Sequence, residues 1–291
     1  MNIVINFDCN MLVTVGIPFY NSARFLKNAI QSVINQTYTD WKLILIDDGS
    51  TDTSLSVASS FIDSRIEIIS DGQNRGLIYR LNQLIEICDT KYLARMDADD
   101  IMHPQRLEKQ LLFLEGNPHV DIVGSWAYSI DIYNQIHGIL EYKNNPHAIM
   151  DVFRHQCFIH PSIVGRKKWF DENLYDSNYV RVEDMELWCR TINKSHFCNI
   201  SEPLLFYREI GVPYLSKYLL SMRGVRKLIK VYNKSNKLRM CAMLLVNYLK
   251  SSVYIVAFCL KLQNVLIRRR SYSVPCNIQL TAMNSLSDAI K

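Results

Sequence analysis

Short apolar runs alternate with amphipathic stretches along the first 115 residues of the chain. Four runs rich in β-branched and aliphatic residues have the length of buried strands, and they cover residues 12–17, 42–46, 65–69 and 91–96. After the capping residue Ser22, apolar side chains recur at helical spacing, at Phe25, Leu26, Ala29, Ile30, Val33 and Ile34. Further helices are predicted at about 52–61, from Leu77 to Cys88, and from Pro104 onward. Strands and helices that alternate in this way form a parallel sheet covered by helices, so an α/β fold is predicted.

The pattern is less regular between residues 120 and 210. Strands are predicted at 120–124, 126–132 and 135–141, with a turn near Asn134, at 192–200, and in a stretch that ends at Arg208. Beyond residue 210 the pattern predicts two long helices, roughly 214–232 and 238–267. We therefore expect an α/β domain over residues 1–210 and a helical C-terminal segment over residues 211–291.

The C-terminal segment is both apolar and basic. Over residues 238–260 the only charged side chains are Arg239 and Lys250, and Asp288 is the only acid beyond residue 210. Three interpretations stay open: an interfacial helix whose apolar face rests on an anionic membrane, a helix packed on the domain, and a membrane span. The polar Asn247 disfavours the span.

Composition narrows the class of protein. A hydrophobic content of 48% over 291 residues excludes wholesale disorder. The formal net charge of +5 is mild and selects no class of anionic partner, and we expect no nucleic-acid partner. The eight cysteines form no Cys-x-x-Cys pair and no zinc-finger spacing, and the N-terminus lacks the pattern of a signal peptide. A reduced, cytosolic compartment is therefore expected.

Two acidic clusters directly follow predicted strands. The sequence Asp-Asp-Gly-Ser-Thr-Asp occupies residues 47–52, and Asp-Ala-Asp-Asp occupies residues 97–100. Because the carboxyl ends of parallel strands line the ligand crevice of such sheets, we expect both clusters at one site. Carboxylates repel a diphosphate unless a divalent cation lies between them, and Mg²⁺ binds one or two carboxylates together with phosphate oxygens. This pattern is typical of an enzyme that uses a nucleotide sugar.

Seven short blocks occur in one order along the chain. They are Ile-Pro-Phe-Tyr-Asn at 17–21, the acidic cluster at 47–52, Asn-Arg-Gly-Leu at 74–77, the acidic cluster at 97–100, His-Pro-x-Arg at 103–106, His-Pro-Ser at 160–162 and Glu-Asp-x-x-Leu-Trp-x-Arg at 183–190. Together they resemble the family 2 glycosyltransferases of GT-A fold, a Rossmann-like, mostly parallel sheet with flanking helices. The similarity is greatest to bacterial enzymes that build O-antigen, capsule or lipooligosaccharide. It covers about residues 11–210 and leaves the C-terminal segment without a motif.

The resemblance implies a nucleobase site after the first two strands. Pro18, Phe19, Tyr20 and Asn21 are implied to contact the base, with an aromatic ring stacked on it. A simple strand-ending turn at Pro18 is the alternative. Asp48 is implied to hydrogen-bond the uracil imide or the ribose, and a helix-capping role is its alternative.

The resemblance also implies a diphosphate and metal site. Arg75 would bind phosphate oxygens through its planar guanidinium, unless it is a solvated loop residue. Asp99 is implied to ligate Mn²⁺ or Mg²⁺ directly. Asp97 would contact the ribose or reach the metal through water, and Asp100 is expected to cap the following turn.

The Glu-Asp block is implied to serve the acceptor. Asp184 is the candidate base that removes the proton from the acceptor hydroxyl, and Glu183 is expected to orient the acceptor. The alternative for both is a helix N-terminus that favours acids. His160 is implied to line the acceptor or sugar pocket, with a structural role equally open.

The function implied is that of an inverting, metal-dependent glycosyltransferase. Its donor would be a UDP-hexose or UDP-N-acetylhexosamine, and its acceptor a lipid-linked oligosaccharide or surface polysaccharide. The basic, apolar C-terminal segment independently indicates the inner face of the plasma membrane, with the protein bound peripherally. Two alternatives are a sugar nucleotidyltransferase and a catalytically degenerate nucleotide-binding scaffold at the membrane. The absence of Gly-x-Gly-x-x-Gly after the first strand argues against dinucleotide binding.

Overall fold

The computed structural model describes residues 13–155, 157–210 and 215–291. Its strands are β1 (Val13–Phe19), β2 (Trp41–Asp47), β3 (Ile66–Ser70), β4 (Tyr92–Arg95), β5 (Ile101–Met102), β6 (Ile122–Asp131), β7 (Ile136–Leu140), β8 (Val164–Arg166) and β9 (Phe197–Ile210). Its helices are α1 (Ala23–Ile34), α2 (Ser54–Ser59), α3 (Leu77–Ile87), α4 (Arg106–Gly116), α5 (Ile149–His155), α6 (Lys167–Glu172), α7 (Glu183–Thr191), α8 (Leu215–Tyr232), α9 (Lys237–Cys259), α10 (Gln263–Arg268) and α11 (Cys276–Ile290). The predicted starts at residues 12 and 214 lie outside the described residues.

Within the described residues, nine strands form one mixed sheet in the order β3-β2-β1-β4-β8-β6-β9-β5, with β7 paired to β6. β1, β2, β3 and β4 are mutually parallel where they pair, as the alternating pattern predicted. β8 runs antiparallel to both β4 and β6, while β6 and β9 are parallel. The predicted α/β fold is confirmed, and its parallel half carries the carboxyl ends at which a ligand crevice is expected.

The first strand runs through Pro18 instead of stopping there. β1 extends to Phe19, whose carbonyl accepts a hydrogen bond from the Asp48 N–H at 2.8 Å. The backbone N–H and C=O groups of successive strand residues point alternately to the two neighbouring strands. The Gly16 carbonyl accepts a hydrogen bond from the Met96 N–H, so the backbone groups of Gly16 point toward β4. Pro18 therefore faces the same side beyond the end of β4, where its missing N–H leaves no ladder bond unmade.

The middle of the chain differs from its prediction in strand boundaries. The strands predicted at 120–124 and 126–132 are one strand, β6, whose pairing with β9 shifts register around Trp126. The strand predicted at 192–200 begins only at Phe197, because Ile192 still closes α7. A shift of register within a long pair of strands interrupts the apolar alternation, so the sequence pattern there resembles the end of one strand and the start of another.

The sheet separates two apolar layers. Successive residues of β2 point to opposite faces, so Leu43 and Leu45 enter one layer while Ile44 and Ile46 enter the other. Helices α1 and α4 cover the first layer, and α3, α6 and α7 cover the second. A side chain at a strand end therefore meets one set of helices or the other according to its position in this alternation.

The C-terminal helices pack on the α/β part of the chain. Leu228 of α8 joins the second layer, while Ala282 and Ala289 of α11 pack with Ile101 and Phe206 in a third cluster. Helix α11 was not among the predicted elements, and the helix predicted over 238–267 is broken between α9 and α10. The division of the chain at residue 210 stays a prediction.

Candidate active site

The carboxyl ends of β1 and β2 join two loops into one surface. Phe19 and Asp47 are in register at the end of these strands. The Asn21 N–H donates to Ser50 Oγ at 3.1 Å, and Asn21 Oδ1 accepts from the Thr51 N–H at 2.8 Å. Asn21 has a φ of +48°, a left-handed conformation that asparagine tolerates. Its side chain thus ties the loops together, and the exposed ring of Tyr20 beside it is free to stack on a base.

Asp48 anchors the loop that follows β3. Its carboxylate accepts hydrogen bonds from the backbone N–H groups of Arg75 at 2.8 Å and Gly76 at 3.0 Å. It also accepts from Nε of the fully buried Arg80 at 2.8 Å, and Arg80 bonds Asp71 at 2.6 Å. Asp48 does not cap the next helix, because its oxygens are directed at this loop. Sequence reasoning missed Arg80, whose place on the buried side of α3 was the available signal.

Arg75 lies at the mouth of the site. Its Nε donates to Asp71 at 2.9 Å, and its guanidinium stands 4.9 Å from the centre of the Tyr79 ring. The side chain is 39% exposed, so it is neither buried in an ion pair nor fully solvated. The Arg75 backbone is fixed by Asp48, and its planar cation is presented beside Asp71 and Tyr79.

Three carboxylates gather after β4. Asp97, Asp99 and Asp100 offer oxygen atoms that all lie within 4.8 Å of one another. One oxygen of Asp97 is 2.5 Å from Arg95, and Asp100 Oδ1 accepts from the backbone N–H of Arg208 at 2.9 Å. The predicted turn-capping role of Asp100 is therefore wrong, because its side chain reaches across to β9.

The cluster has the chemistry of a divalent cation site. Burial, followed by the charge of Asp97, raises the pKa of Asp99 to about 6. Burial and the charge of Asp99 raise the pKa of Asp100 well above its ordinary range. The second oxygen of Asp100 is buried without a hydrogen-bond partner among the described residues. Crowded, incompletely paired carboxylate oxygens are the ligands that Mg²⁺ and Mn²⁺ prefer, so these residues fit such an ion.

A second acidic pair opens α7. Burial, with the charge of Asp184 next, raises the pKa of Glu183 to about 7, and burial raises the pKa of Asp184. Asp184 Oδ1 accepts from the Met185 N–H at 2.7 Å, and one oxygen of Glu183 has no partner in the described part of the chain. Arg181, just upstream, has a φ of +70°, which is uncommon for a residue with a side chain.

One buried guanidinium connects the two acidic groups. In β4 the alternation directs Leu93 into the second layer, and Arg95 follows it to the same side, toward α7. Arg95 contacts Asp97 directly, and apart from burial the charges acting on it include those of Asp97 and Glu183, so members of both acidic groups lie close to it. Its Nε and Nη1 atoms have no hydrogen-bond partner among the described residues. The sequence signal for Arg95, a lone charge inside an apolar strand, was overlooked.

His160 lies within electrostatic range of this guanidinium. It is buried, and its Nε2 atom is 2.8 Å from the hydroxyl of Tyr175. Burial, aided by the charge of Arg95, lowers the pKa of His160 well below its usual value, so the ring is neutral at pH 7. His160 is thus packed against Tyr175 and Trp188 in the interior, a placement that leaves both interpretations of the residue open.

An open cavity lies beside this region and reaches it at Glu183, while the three carboxylates after β4 do not line it. It has a volume of about 640 Å³ and runs between α3 and the segment before α7. Arg75 and Glu183 both line it, with Tyr79, Leu174 and Arg181 along its walls. A cavity of this size, part apolar and part charged, is typical of a small-molecule site.

The comparisons with known proteins agree with this geometry. The sequence model of the family described as "Glycosyl transferase family 2" matches residues 14–174. An uncharacterized glycosyltransferase of Haemophilus influenzae is 34% identical over 237 residues, covering 76% of this chain and 73% of its own. The O-antigen biosynthesis glycosyltransferase WbnJ of Escherichia coli is 29% identical over 208 residues, covering 68% of this chain and 79% of its own.

Solved structures share the fold at low identity. S. aureus TarS 1–349 in complex with UDP-GlcNAc has a TM-score of 0.62 at 16% identity, covering 97% of this chain and 82% of that one. The mannosyltransferase PcManGT from Pyrobaculum calidifontis in complex with GDP-Man and Mn²⁺ has a TM-score of 0.55 at 17% identity, covering 94% and 80%. The fold and the site together define a glycosyltransferase of GT-A type. The chain belongs to glycosyl transferase family 2.

Proposed function

We propose that this glycosyltransferase moves a hexose or N-acetylhexosamine from a UDP-sugar to a lipid-linked or surface-polysaccharide acceptor, with inversion and with a divalent metal. The proposed location is the cytoplasmic side of the plasma membrane. The observation that carries the proposal is that a three-carboxylate cluster and the Glu183–Asp184 pair both lie near the buried Arg95. Inverting transfer needs one acidic site for the leaving diphosphate's metal and another for the acceptor's proton.

The donor side of the proposal uses the loops after β1, β2 and β3. Tyr20 stacks on the base, with Pro18 and Phe19 shaping the strand end beside it. Asp48 accepts a hydrogen bond from the uracil imide or ribose while it holds the loop, and Arg75 binds the diphosphate. Support for UDP comes from the TarS structures, which contain UDP and UDP-GlcNAc, although PcManGT contains GDP-Man.

Asp99 and Asp97 would hold Mn²⁺ or Mg²⁺, with Asp100 behind them. When bound, the metal supplies positive charge that neutralises the leaving diphosphate. Asp97 would also contact the ribose, and Arg95 would keep its carboxylate oriented through the 2.5 Å contact.

Asp184 is the proposed base. It takes the proton of the acceptor hydroxyl as that oxygen bonds to C1 of the sugar and the C1–O bond to the diphosphate breaks. Attack from the opposite face inverts C1, so an α-linked donor yields a β-linked product. Glu183 orients the acceptor from the cavity wall, and His160 supports the sugar pocket from behind.

Calorimetric titration tests the donor and the metal site. We expect UDP to bind more tightly than GDP or dTDP, and only with Mn²⁺ present. Asp99→Asn should abolish the UDP binding that Mn²⁺ confers. Asp89→Asn should leave that binding intact, because Asp89 is a 69% exposed acid at the opposite end of β4. Metal-independent binding, or preference for GDP, contradicts the corresponding part of the proposal.

Sugar transfer tests the base. Asp184→Asn should lower transfer by about 10²–10⁴-fold, the usual range for a lost general base, while UDP binding persists. Glu172→Gln, an exposed acid at the end of α6, is the matched control. Transfer at the normal rate in Asp184→Asn would show that another group is the base.

A further inference from the structure

Helix α9 has its polar residues facing the protein. Its buried positions include Asn247, Ser251 and Tyr254. Asn247 Oδ1 accepts a hydrogen bond from Arg226 of α8 at 2.7 Å, and the Tyr254 ring stacks on Tyr218 at 3.9 Å between centroids. The contact between the two helices is therefore built largely from polar and aromatic groups.

The opposite face of α9 is an apolar stripe that points outward. It runs past the C-terminal end of the helix and is defined by Leu238, Leu245, Leu249, Val253, Val256 and Leu260. These side chains are spaced three, four or seven residues apart, so they share one face of the helix. Each is between 56% and 84% exposed. A helix that packs on a domain in water normally shows the reverse polarity, with its apolar side inward.

Exposed basic residues are concentrated in the C-terminal segment that contains α9. They include Arg223, Lys230, Lys234, Lys237, Arg239, Lys250, Lys261, Arg268 and Arg269, all exposed. Asp288 is the only acid beyond residue 210. Lys237 and Arg239 at the start of α9 and Lys261 just past its end place cations at both ends of the apolar face, which matches the hydrocarbon edge and anionic headgroups of a bilayer. A second copy of the same surface fits it less well, because its cations repel.

The ends of α9 decide between lying on the bilayer and crossing it. By length and composition α9 is the one described helix able to span, with a mean hydropathy of 1.5. However, Leu228 of the preceding α8 and Ala289 of the following α11 are both buried in the same α/β body. Cations flank both ends, and Lys250 lies mid-helix, where a spanning segment disfavours charge. Both ends therefore stay on one side of the membrane.

We infer that α9 is a membrane-interface helix that inserts its apolar stripe into an anionic bilayer while lying in the plane of the surface. This inference deepens the location given under the proposed function and rests on it. The polar contacts between α8 and α9 hold the stripe outward, so the docking surface exists before the membrane is met.

Co-sedimentation with vesicles tests the surface. The probes are phosphatidylethanolamine–phosphatidylglycerol vesicles and neutral phosphatidylcholine vesicles. We expect the full chain to bind the anionic vesicles more tightly, with the preference reduced by salt. Leu249→Glu and Val256→Glu should each lower the partition coefficient at least about tenfold, because each places a charge where hydrocarbon is expected. Ile62→Glu, at a fully exposed apolar residue after α2, is the matched control and should bind as the unchanged protein does.

Three results would overturn the inference. In the first, Leu249→Glu binds vesicles as well as the unchanged protein does. In the second, the membrane-bound protein resists extraction by alkaline carbonate, which indicates a span. In the third, the unchanged protein binds no vesicles and instead forms a dimer that Leu249→Glu dissociates. Circular dichroism and UDP titration of the same variants verify that the fold and donor site are intact. Vesicle binding without UDP binding contradicts the proposed function while leaving the docking surface standing.

Discussion

At the scale of single residues, Arg95 is the side chain on which the site's electrostatics depend. Its buried cation lies among Asp97, Glu183 and Asp184, and it favours the ionised form of both members of the Glu-Asp pair against the effect of burial. Removal of one partner from such a group leaves uncompensated charge in the interior. Arg95 therefore contributes both to folding and to keeping the proposed base ready to accept a proton.

Arg95→Met should affect stability and the pH dependence of transfer. We expect a loss of about 3–5 kcal/mol in the free energy of unfolding at pH 7, the usual effect of breaking a buried ion pair. The pKa of Asp184 should rise further, so the acidic limb of the pH–rate profile moves to higher pH. Denaturant unfolding and a pH–rate series measure these effects, and Arg95→Lys should preserve the profile better. An unmoved acidic limb in Arg95→Met contradicts the electrostatic role.

Glu183 should make the protein less stable as the pH rises. Its pKa is about 7 in the folded protein and ordinarily 4.5, so between these values the folded state holds a proton that the unfolded state lacks. Stability contributed by this proton is present below pH 4.5 and is lost as the pH rises through 7. Glu183→Gln should therefore gain up to about 3 kcal/mol of unfolding free energy at pH 8 and little at pH 5. Urea unfolding at both values provides the measurement, and an equal gain at both would argue against titration as the cause.

The sequence predicted the acidic residues of the site better than their partners. Asp97, Asp99 and Asp184 stand in short blocks that can be recognised one at a time. Arg95 and Arg80 act through contacts between elements, which a linear pattern does not contain. The contradicted capping role of Asp100 has the same origin, because its partner on β9 is 108 residues away.

At the scale of elements, the loops of the proposed donor site approach each other closely. Gly49 has a φ of +72°, and a Cβ atom there would lie 2.7 Å from the backbone carbon of Gln73. Gly72 has a similar φ of +70°, but a Cβ atom there would meet nothing within 4 Å. Substitutions at these two glycines therefore distinguish backbone strain, which both would cause, from collision between the loops, which only a substitution at Gly49 would cause.

Gly49→Ala should weaken UDP binding more than Gly72→Ala does. Both variants incur strain of about 1–3 kcal/mol, since each places a side chain in the left-handed region. Only Gly49→Ala should also push away the loop that Asp48 and Arg80 hold, and we expect its affinity for UDP to fall about tenfold or more. Calorimetry of the two variants side by side decides the matter. Similar affinities would mean that the loop accommodates the added methyl group.

Elements with a regular apolar period were predicted well. The buried runs of β1 and β2 and the face of α1 appear as expected, since local sequence and packing agree there. Helix α11 was missed because its buried positions include the small residues Ala282 and Ala289, which give a weak hydrophobic period. The length of β9 was missed because the strand is stabilised by its pairing with β6, which continues across several shifts of register, and not by its own composition.

At the scale of the whole molecule, the last helix closes the apolar cluster at the end of the sheet. Ala289 of α11 is fully buried, and Asn35, the residue after α1, donates to the carbonyl of Asp288 at 3.1 Å. We expect Ala289→Asp to cost about 3 kcal/mol or more, because it buries a charge without a partner. Asn284→Asp, on the exposed side of the same helix, should change little. Thermal unfolding compares them, and equal midpoints would mean that α11 does not contribute to the core.

The membrane-interface position inferred for α9 would also change which concentration of acceptor governs the rate of this enzyme. A catalyst held flat on a bilayer meets a lipid-carried acceptor by diffusion in two dimensions, and confinement raises the effective concentration of both. Its saturation by acceptor then follows the mole fraction of carrier lipid in the surface rather than the amount per volume of solution. Diluting the carrier with inert lipid should slow turnover even when the total carrier in the tube is unchanged.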